Sequence, residues 1–163
     1  IDAGYKSIES GMVDCLQIFY NLLYQDSEDL ILKAHSSGLG VLVRSPLNSG
    51  LLTGAYNKNT VFESNDARST FFKGDEFAQR LEILNKIQKD LNICSDQLME
   101  YSMKFILSHQ VGIVAIPATS KVSQIDELAK FANNLPRFDS GELENIKEII
   151  EKYMGKAGFA QQL

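Results

Sequence analysis

The sequence predicts an α/β fold built around parallel strands, and two observations support this prediction. Three short apolar runs alternate along the chain with stretches in which apolar residues recur at helical spacing. Each apolar run also ends abruptly in polar, glycine or proline residues, as the carboxyl end of a strand does where it opens into a ligand site. The alternation therefore predicts parallel strands joined by helical crossovers.

The composition is that of one domain spanning residues 1–163, and it argues against two classes of partner. The chain is 44% hydrophobic and 23% charged, which is ordinary for a globular protein. Its net charge of −5 argues against a nucleic-acid surface, and no apolar run approaches the roughly 18 residues of a membrane span. Two cysteines are too few for a disulfide framework, so a reducing, cytoplasmic setting is expected.

The first predicted strand runs from Val13 to Tyr20. Strand alternation places Cys15, Gln17 and Phe19 on one face, and both faces are mostly apolar, as expected of a parallel strand covered on two sides. Gln17 is the polar exception. Because a buried amide without partners costs about 1–3 kcal/mol, Gln17 should bond either a ligand or neighbouring backbone, and the pattern leaves both open.

Two of the predicted helices have clear start signals. Asp26 or Ser27 can cap the first, which carries acids in its first turn and ends at Gly38. Asp139 with Glu142 forms a capping box at the start of the last helix. The buried stripe predicted for the first of these helices consists of Leu30, Ile31 and Ala34.

The second predicted strand, Val41–Val43, continues directly into the polar stretch 44–54. From Ala55 to Gly74 the chain is polar and irregular, and a loop of this length inside a compact domain is usually functional or mobile. Phe71 and Phe72 in this loop either cover a ligand or pack the loop against the core, and packing is slightly favoured.

Two amphipathic helices are predicted after this loop. The first runs from Phe77 to Leu91 with apolar residues at helical spacing. Ser95 can cap the second, in which Met99 and Met103 are predicted to be core residues rather than part of a cofactor site.

The third predicted strand, Gly112–Ile116, ends in a candidate anion site. Thr119, Ser120 and Lys121 follow it and lead into a helix from Gln124 to Ala132. Hydroxyls, a cation and the free N–H groups of a helix start converge there, a combination that binds anions. An ordinary helix cap with a solvated lysine remains the alternative.

The alternation of strands and helices fits either an open doubly wound sheet or a closed (β/α)₈ barrel. No Gly-x-Gly-x-x-Gly follows any strand, which argues against a Rossmann dinucleotide site. Barrels instead place phosphates at the loops after their last two strands, and both candidate sites follow the last two strands here. The sequence thus predicts the C-terminal portion of a (β/α)₈ TIM barrel, incomplete as given. The chain also begins inside an element, which predicts a fragment.

Three segments of the chain resemble the aldo-keto reductase superfamily. They are residues 13–22, 44–54 and 116–128, and Asp66-Ala-Arg68 and Phe105-Ile-Leu-Ser also fit the family. The resemblance covers nearly the whole chain in the right order. It implies that the three strands are the sixth, seventh and eighth of a barrel that binds NADPH, less often NADH, across its C-terminal face and reduces aldehydes and ketones to alcohols.

The resemblance implies cofactor contacts at all three strand ends. Gln17 would bond the nicotinamide carboxamide, and Arg44 would stack on the nicotinamide through its guanidinium plane. The pyrophosphate path would be lined by Ser45, Leu47 and Ser49, and the adenosine end by Pro117, Ala118, Thr119, Gln124 and Glu127. The complete set of implied cofactor-binding residues is Gln17, Arg44, Ser45, Pro46, Leu47, Ser49, Gly50, Pro117, Ala118, Thr119, Gln124, Glu127 and Leu128.

Three positions depart from the family pattern and bear on the choice of cofactor. Ala118 and Gln124 stand where a Lys and an Arg often bind the 2′-phosphate of NADPH, and Leu128 replaces a common adenine-contacting Asn. Lys121 and the helix start beside it could still hold a phosphate. NADPH is therefore expected, with NADH possible.

The resemblance assigns no catalytic residue to this chain. The family's catalytic Asp, Tyr, Lys and His come from earlier barrel strands, so the chain alone is expected to be inactive. Its expected partners are the cofactor and, through open sheet edges, either an N-terminal half or another copy. The alternative is a non-enzymatic regulatory or binding module related to the same family.

Overall fold

The computed structural model describes residues 1–72, 74–119 and 121–155. Its helices and strands alternate along most of the chain, with two short 3₁₀ turns at Asn48–Thr53 and Ser95–Gln97. The helices and strands in chain order are α1 (Asp2–Ser10), β1 (Cys15–Phe19), α2 (Glu28–Ser36), β2 (Gly40–Arg44), α3 (Arg68–Phe71), α4 (Gly74–Asp90), α5 (Leu98–Leu107), β3 (Val114–Ile116), α6 (Val122–Asn134) and α7 (Ser140–Met154).

The three strands form one parallel sheet in the order β1-β2-β3. Gln17 pairs with Leu42 and Leu42 with Val114, so the strands lie side by side with their carboxyl ends at one edge. This confirms the prediction of an α/β fold with parallel pairing. β1 and β3 are shorter than predicted, because they begin at Cys15 and Val114, whereas β2 extends one residue further than predicted at each end.

Only one face of this sheet is covered by the described residues. Ile18, Val41 and Val43 are at most 5% exposed and face the core formed with the helices. Cys15 and Gln17 on the opposite face are exposed. The expectation that β1 is covered on both sides is therefore wrong for the described residues, because their helices pack against a single face. Gln17 is correspondingly not a buried amide.

One of the three predicted helix caps forms as predicted. Ser27 precedes α2 but its side chain makes no capping hydrogen bond, while Glu28 and Asp29 lie in the first turn as predicted. Gly38 follows the helix with a left-handed φ of 80°. Asp139 and Glu142 form the predicted capping box at α7. The cap predicted at Ser95 lies one residue earlier, at Cys94, whose backbone N–H donates to the Gln97 side chain at 2.9 Å.

The long loop is more ordered than its composition predicted. It contains the short helix α3, and α4 already begins at Gly74. Phe72 is 7% exposed and packs in the core, whereas Phe71 is 37% exposed. Met99 and Met103 are buried, as predicted for core residues. Among the residues described, no helix combines the length and the apolar character needed to cross a membrane.

Candidate functional site

The carboxyl end of β2 turns into a segment with several left-handed residues. Ser45, Asn48 and Ser49 have φ of 56°, 46° and 53°, and Gly50 has φ of 91°. Non-glycine residues rarely adopt this conformation unless the surrounding structure holds them there. Side chains from elsewhere supply that support, as the contacts of Asn21 and Tyr56 illustrate.

Asn21 and Tyr56 hold carbonyl groups of this segment. The buried Asn21 donates from Nδ2 to the Ser45 carbonyl at 3.0 Å, and the Tyr56 hydroxyl donates to the Ser49 carbonyl at 2.9 Å. Glycine is required at position 50 for two reasons. Its φ is positive, and a Cβ there would overlap the Tyr56 hydroxyl.

This segment forms the floor of a cleft of about 630 Å³. One wall comes from the loop between the first 3₁₀ turn and α4, and the other from the β3–α6 turn. The residues that line the cleft are Leu47, Ser49, Gly50, Thr53, Ala55, Tyr56, Ala67, Arg68, Phe71, Met99, Ala118, Thr119, Lys121, Gln124 and Leu128.

The charges along the cleft are all positive among the residues described. Arg68 and Lys121 lie on opposite walls, and no carboxylate lines the cleft. The nearby Asp66 is outside the lining, and its two carboxylate oxygens share the single N–H of Arg68 Nε, each at 2.9 Å. Asp66 offsets part of the Arg68 charge, but with Lys121 the described lining still carries positive charge that favours an anionic ligand.

Arg68 is held in one orientation by its neighbours. Besides Asp66, it bonds the Tyr56 oxygen from Nη1 at 2.9 Å, and its guanidinium carbon lies 5.2 Å from the centroid of the Phe62 ring. The hydrogen bonds from Arg68 lower the pKa of Asp66, and those to Asp66 and Tyr56 raise the pKa of Arg68. Both groups therefore stay charged across the physiological pH range.

The opposite wall contains the described part of the candidate anion site. Thr119 Oγ1 accepts the backbone N–H of Lys121 at 3.1 Å and contacts Gln124 Oε1. Lys121 is the residue before α6, and its side chain is exposed. Ser120, the third predicted member of this site, lies outside the described residues.

The cleft brings together seven of the thirteen predicted cofactor residues, from two distant segments: Leu47, Ser49, Gly50, Ala118, Thr119, Gln124 and Leu128. Four others adjoin these residues in the chain but do not line the cleft: Ser45, Pro46, Pro117 and Glu127.

The two residues predicted to contact the nicotinamide lie apart from the cleft. Gln17 and Arg44 line a smaller cavity of about 230 Å³ beside β1, together with Gly4 of α1 and Leu30 of α2. Arg44 stacks on Phe19, its cross-strand neighbour, with its guanidinium carbon 4.9 Å from the ring centroid.

Sequence reasoning missed two polar side chains of the cleft. Tyr56 and Arg68 belong to the long loop, for which only the Asp66-Ala-Arg68 spacing gave a signal. Met99, predicted as core, is buried and also lines the cleft. The aromatic cluster of Tyr56, Phe62, Phe72 and Phe77, with ring centroids 5.1 to 6.2 Å apart, folds the loop against the floor.

A parallel sheet with a cationic cleft beyond its strand ends is the arrangement of α/β proteins that bind phosphate-bearing ligands. The family model of the aldo/keto reductase family matches residues 7–151. The chain therefore belongs to the aldo/keto reductase family of oxidoreductases.

Two protein relatives share this similarity over 124 residues. Aldo-keto reductase str7 of Strobilurus tenacellus is 33% identical, and aldo-keto reductase yakc [NADP(+)] of Schizosaccharomyces pombe is 29% identical. Each match covers 71% of this chain and 36% of the relative. The matched part thus spans about a third of the length of these relatives.

Solved structures show the same fold at low sequence identity. The glycerol dehydrogenase AKR11B4 of Gluconobacter oxydans aligns with a TM-score of 0.67 at 22% identity, over 86% of this chain and 43% of that structure. The holo form of aldo-keto reductase AKR11C1 from Bacillus halodurans aligns with a TM-score of 0.66 at 14% identity, over 98% and 49%. The chain accordingly has the fold of part of an aldo-keto reductase barrel.

Proposed function

We propose that this chain is the cofactor-binding portion of an NADPH-dependent aldo-keto reductase that reduces aldehydes or ketones to alcohols. The observation that carries the proposal is the cleft beyond β2 and β3, which has Arg68 and Lys121 on opposite walls and no carboxylate in its described lining. Its volume of about 630 Å³ and its cationic walls suit the phosphates of a dinucleotide.

Different residues of the cleft would bind different parts of the cofactor. Ser49 and Gly50 provide a floor on which the pyrophosphate can approach the backbone closely, and Arg68 and Lys121 provide compensating charge. When bound, the cofactor supplies the hydride that a carbonyl carbon accepts, while the carbonyl oxygen takes a proton from the protein. The family's catalytic Asp, Tyr, Lys and His would lie on earlier strands, so β1, β2 and β3 would be the sixth to eighth barrel strands.

NADPH is the proposed cofactor, with NADH as the weaker alternative. The cleft offers a lysine beside Thr119 and an arginine on the facing wall, although Gln124 is neutral where the family often has a cation. The name of the S. pombe relative specifies NADP(+). A cytoplasmic location is proposed as well, since the free Cys15 and Cys94 are exposed and suit a reducing compartment.

A calorimetric titration of the chain with NADPH tests cofactor binding, and Lys121→Ala tests the cleft. Removing a phosphate-binding cation should weaken NADPH binding about tenfold. Lys130→Ala removes the same charge from an exposed position on α6 outside the cleft, and it should leave affinity unchanged. Equal effects of the two substitutions, or no binding by the wild type, would overturn the proposal.

Turnover distinguishes the enzyme from the regulatory alternative. NADPH oxidation with a panel of aldehydes should be absent for the chain alone and present once a matching N-terminal barrel portion is supplied. NADPH binding that never leads to turnover in the complemented protein would favour a binding or regulatory module.

A further inference from the structure

Two left-handed residues of this segment are tied to side chains from elsewhere in the chain. The Ser45 carbonyl accepts from Asn21, and the Ser49 carbonyl accepts from Tyr56. Asn21 comes from the segment after β1 and is buried. Tyr56 differs from Asn21 because it also lines the cleft.

The Tyr56 hydroxyl is shared between the floor and the loop wall. It donates to the Ser49 carbonyl and accepts from Arg68 Nη1, both at 2.9 Å. Its ring contacts Phe62, Phe72 and Phe77, which fix the position of the hydroxyl. One oxygen atom therefore connects the turn at Ser49 and Gly50 to the only arginine that lines the described part of the cleft.

We propose that Tyr56 is a positioning residue for the dinucleotide phosphates. Its hydroxyl holds Ser49 and Gly50 in the left-handed conformation that forms the floor, and it fixes the Arg68 guanidinium against the same turn. The inference rests on the proposed function, since it concerns the phosphates that the cleft would bind. Without the hydroxyl, Ser49 loses the bond that offsets its unfavourable φ and Arg68 loses one of its two hydrogen-bonding partners.

Tyr56→Phe tests this role because it removes only the hydroxyl and keeps the ring in the aromatic cluster. NADPH affinity, measured by calorimetry on the purified chain, should fall about five- to tenfold. Amide hydrogen exchange of residues 48–54 should become faster even without NADPH, while exchange in α2 stays unchanged. Tyr153→Phe is the matched control, since it removes a hydroxyl bonded to Asp90 at 2.8 Å between α4 and α7.

Ser49→Gly tests whether Tyr56 affects NADPH binding through the conformation of Ser49, because glycine adopts a positive φ without a supporting hydrogen bond. If Tyr56 acts through the turn, Tyr56→Phe should cost at least threefold less affinity in the Ser49→Gly background than in the wild type. An equal loss in both backgrounds, or unchanged hydrogen exchange in Tyr56→Phe, would overturn the inference. If Tyr56→Phe binds NADPH as tightly as the wild type, the role of Tyr56 is overturned and the proposed function stands. If the wild type does not bind NADPH, both the proposed function and the role of Tyr56 are overturned.

Discussion

At the scale of single residues, backbone conformation decides where the cleft floor lies. Ser49 and Gly50 both have positive φ, and Tyr56 packs against Gly50 so closely that a Cβ would overlap its hydroxyl. A side chain at position 50 would thus meet a steric conflict and a disfavoured φ together. The turn at Ser49 and Gly50 therefore depends on the contact with Tyr56, beside the buried Leu51 and Leu52 that anchor the segment in the core.

Gly50→Ala should destabilise the chain by about 1–3 kcal/mol and weaken NADPH binding. Equilibrium unfolding in urea measures the first effect and calorimetry the second. Gly112→Ala is the matched control, because a Cβ at Gly112 meets no atom within 4 Å and φ there is not positive. A Gly50→Ala variant as stable as the control would contradict the assigned conformation.

His109 is the residue whose protonation should change stability near neutral pH. Burial lowers its pKa below the ordinary value of 6.5, and its Nε2 atom is buried without a hydrogen-bond partner among the described residues. The charges that face it are those of Glu28, which raises the pKa, and of Lys147 and His35, which lower it. Because the folded state binds this proton less tightly than the unfolded chain, stability present above pH 6.5 is lost as the pH falls below it.

The free energy of unfolding should therefore decrease from about pH 7.5 to about pH 5.5, by less than the roughly 1.4 kcal/mol per pH unit that one proton allows. His109→Gln should flatten this dependence, as measured by urea unfolding at each pH. Identical slopes in the wild type and His109→Gln would exclude His109 as the source.

The residue scale also shows which site residues the sequence could predict. Ser49, Gly50 and Thr119 follow strands directly, so their place at the strand ends follows from the chain order. Tyr56 and Arg68 reach the cleft only because an aromatic cluster folds the long loop back onto the floor. The position of this loop depends on contacts between its aromatic rings and Phe77 of α4. Local sequence patterns do not predict such contacts.

At the scale of elements, local sequence patterns predicted the positions of the helices better than they predicted which faces of the strands are buried. The apolar spacing of α4 and the capping box of Asp139 depend on residues within one or two turns, and both match the structure. Coverage of β1 depends on what packs across the sheet. The apolar pattern of β1 predicted cover on both faces, yet the described helices cover only the face containing Ile18.

The helix α6 is a second case in which the local sequence pattern does not predict the packing. It is amphipathic, but none of its residues is buried, and Val122 and Ile125 are 75% and 55% exposed. In a closed barrel each helix of the outer ring packs against neighbouring elements. Among the described residues, the apolar side of α6 therefore lacks the packing that its amphipathic pattern predicts.

At the scale of the whole molecule, the described residues leave the sheet with two unpaired edges and one uncovered face. β1 and β3 are the edge strands, and Val114 of β3 is 57% exposed on the uncovered face, in register with Leu42. Exposed strand edges with apolar neighbours tend to pair with further strands. We expect another copy of the chain to pair with these edges when no other strand does.

The chain purified alone should therefore self-associate, and Val114→Lys should reduce the association. A lysine at this position places charge on the uncovered face of the edge strand, which opposes strand pairing between copies. Val61→Lys is the matched control, because Val61 is 89% exposed in the long loop, outside the sheet. Light scattering coupled to size-exclusion chromatography should show a lower average mass for Val114→Lys and an unchanged mass for Val61→Lys. A wild type that remains a sharp monomer across a wide concentration range would show that the open edge of β3 does not drive assembly.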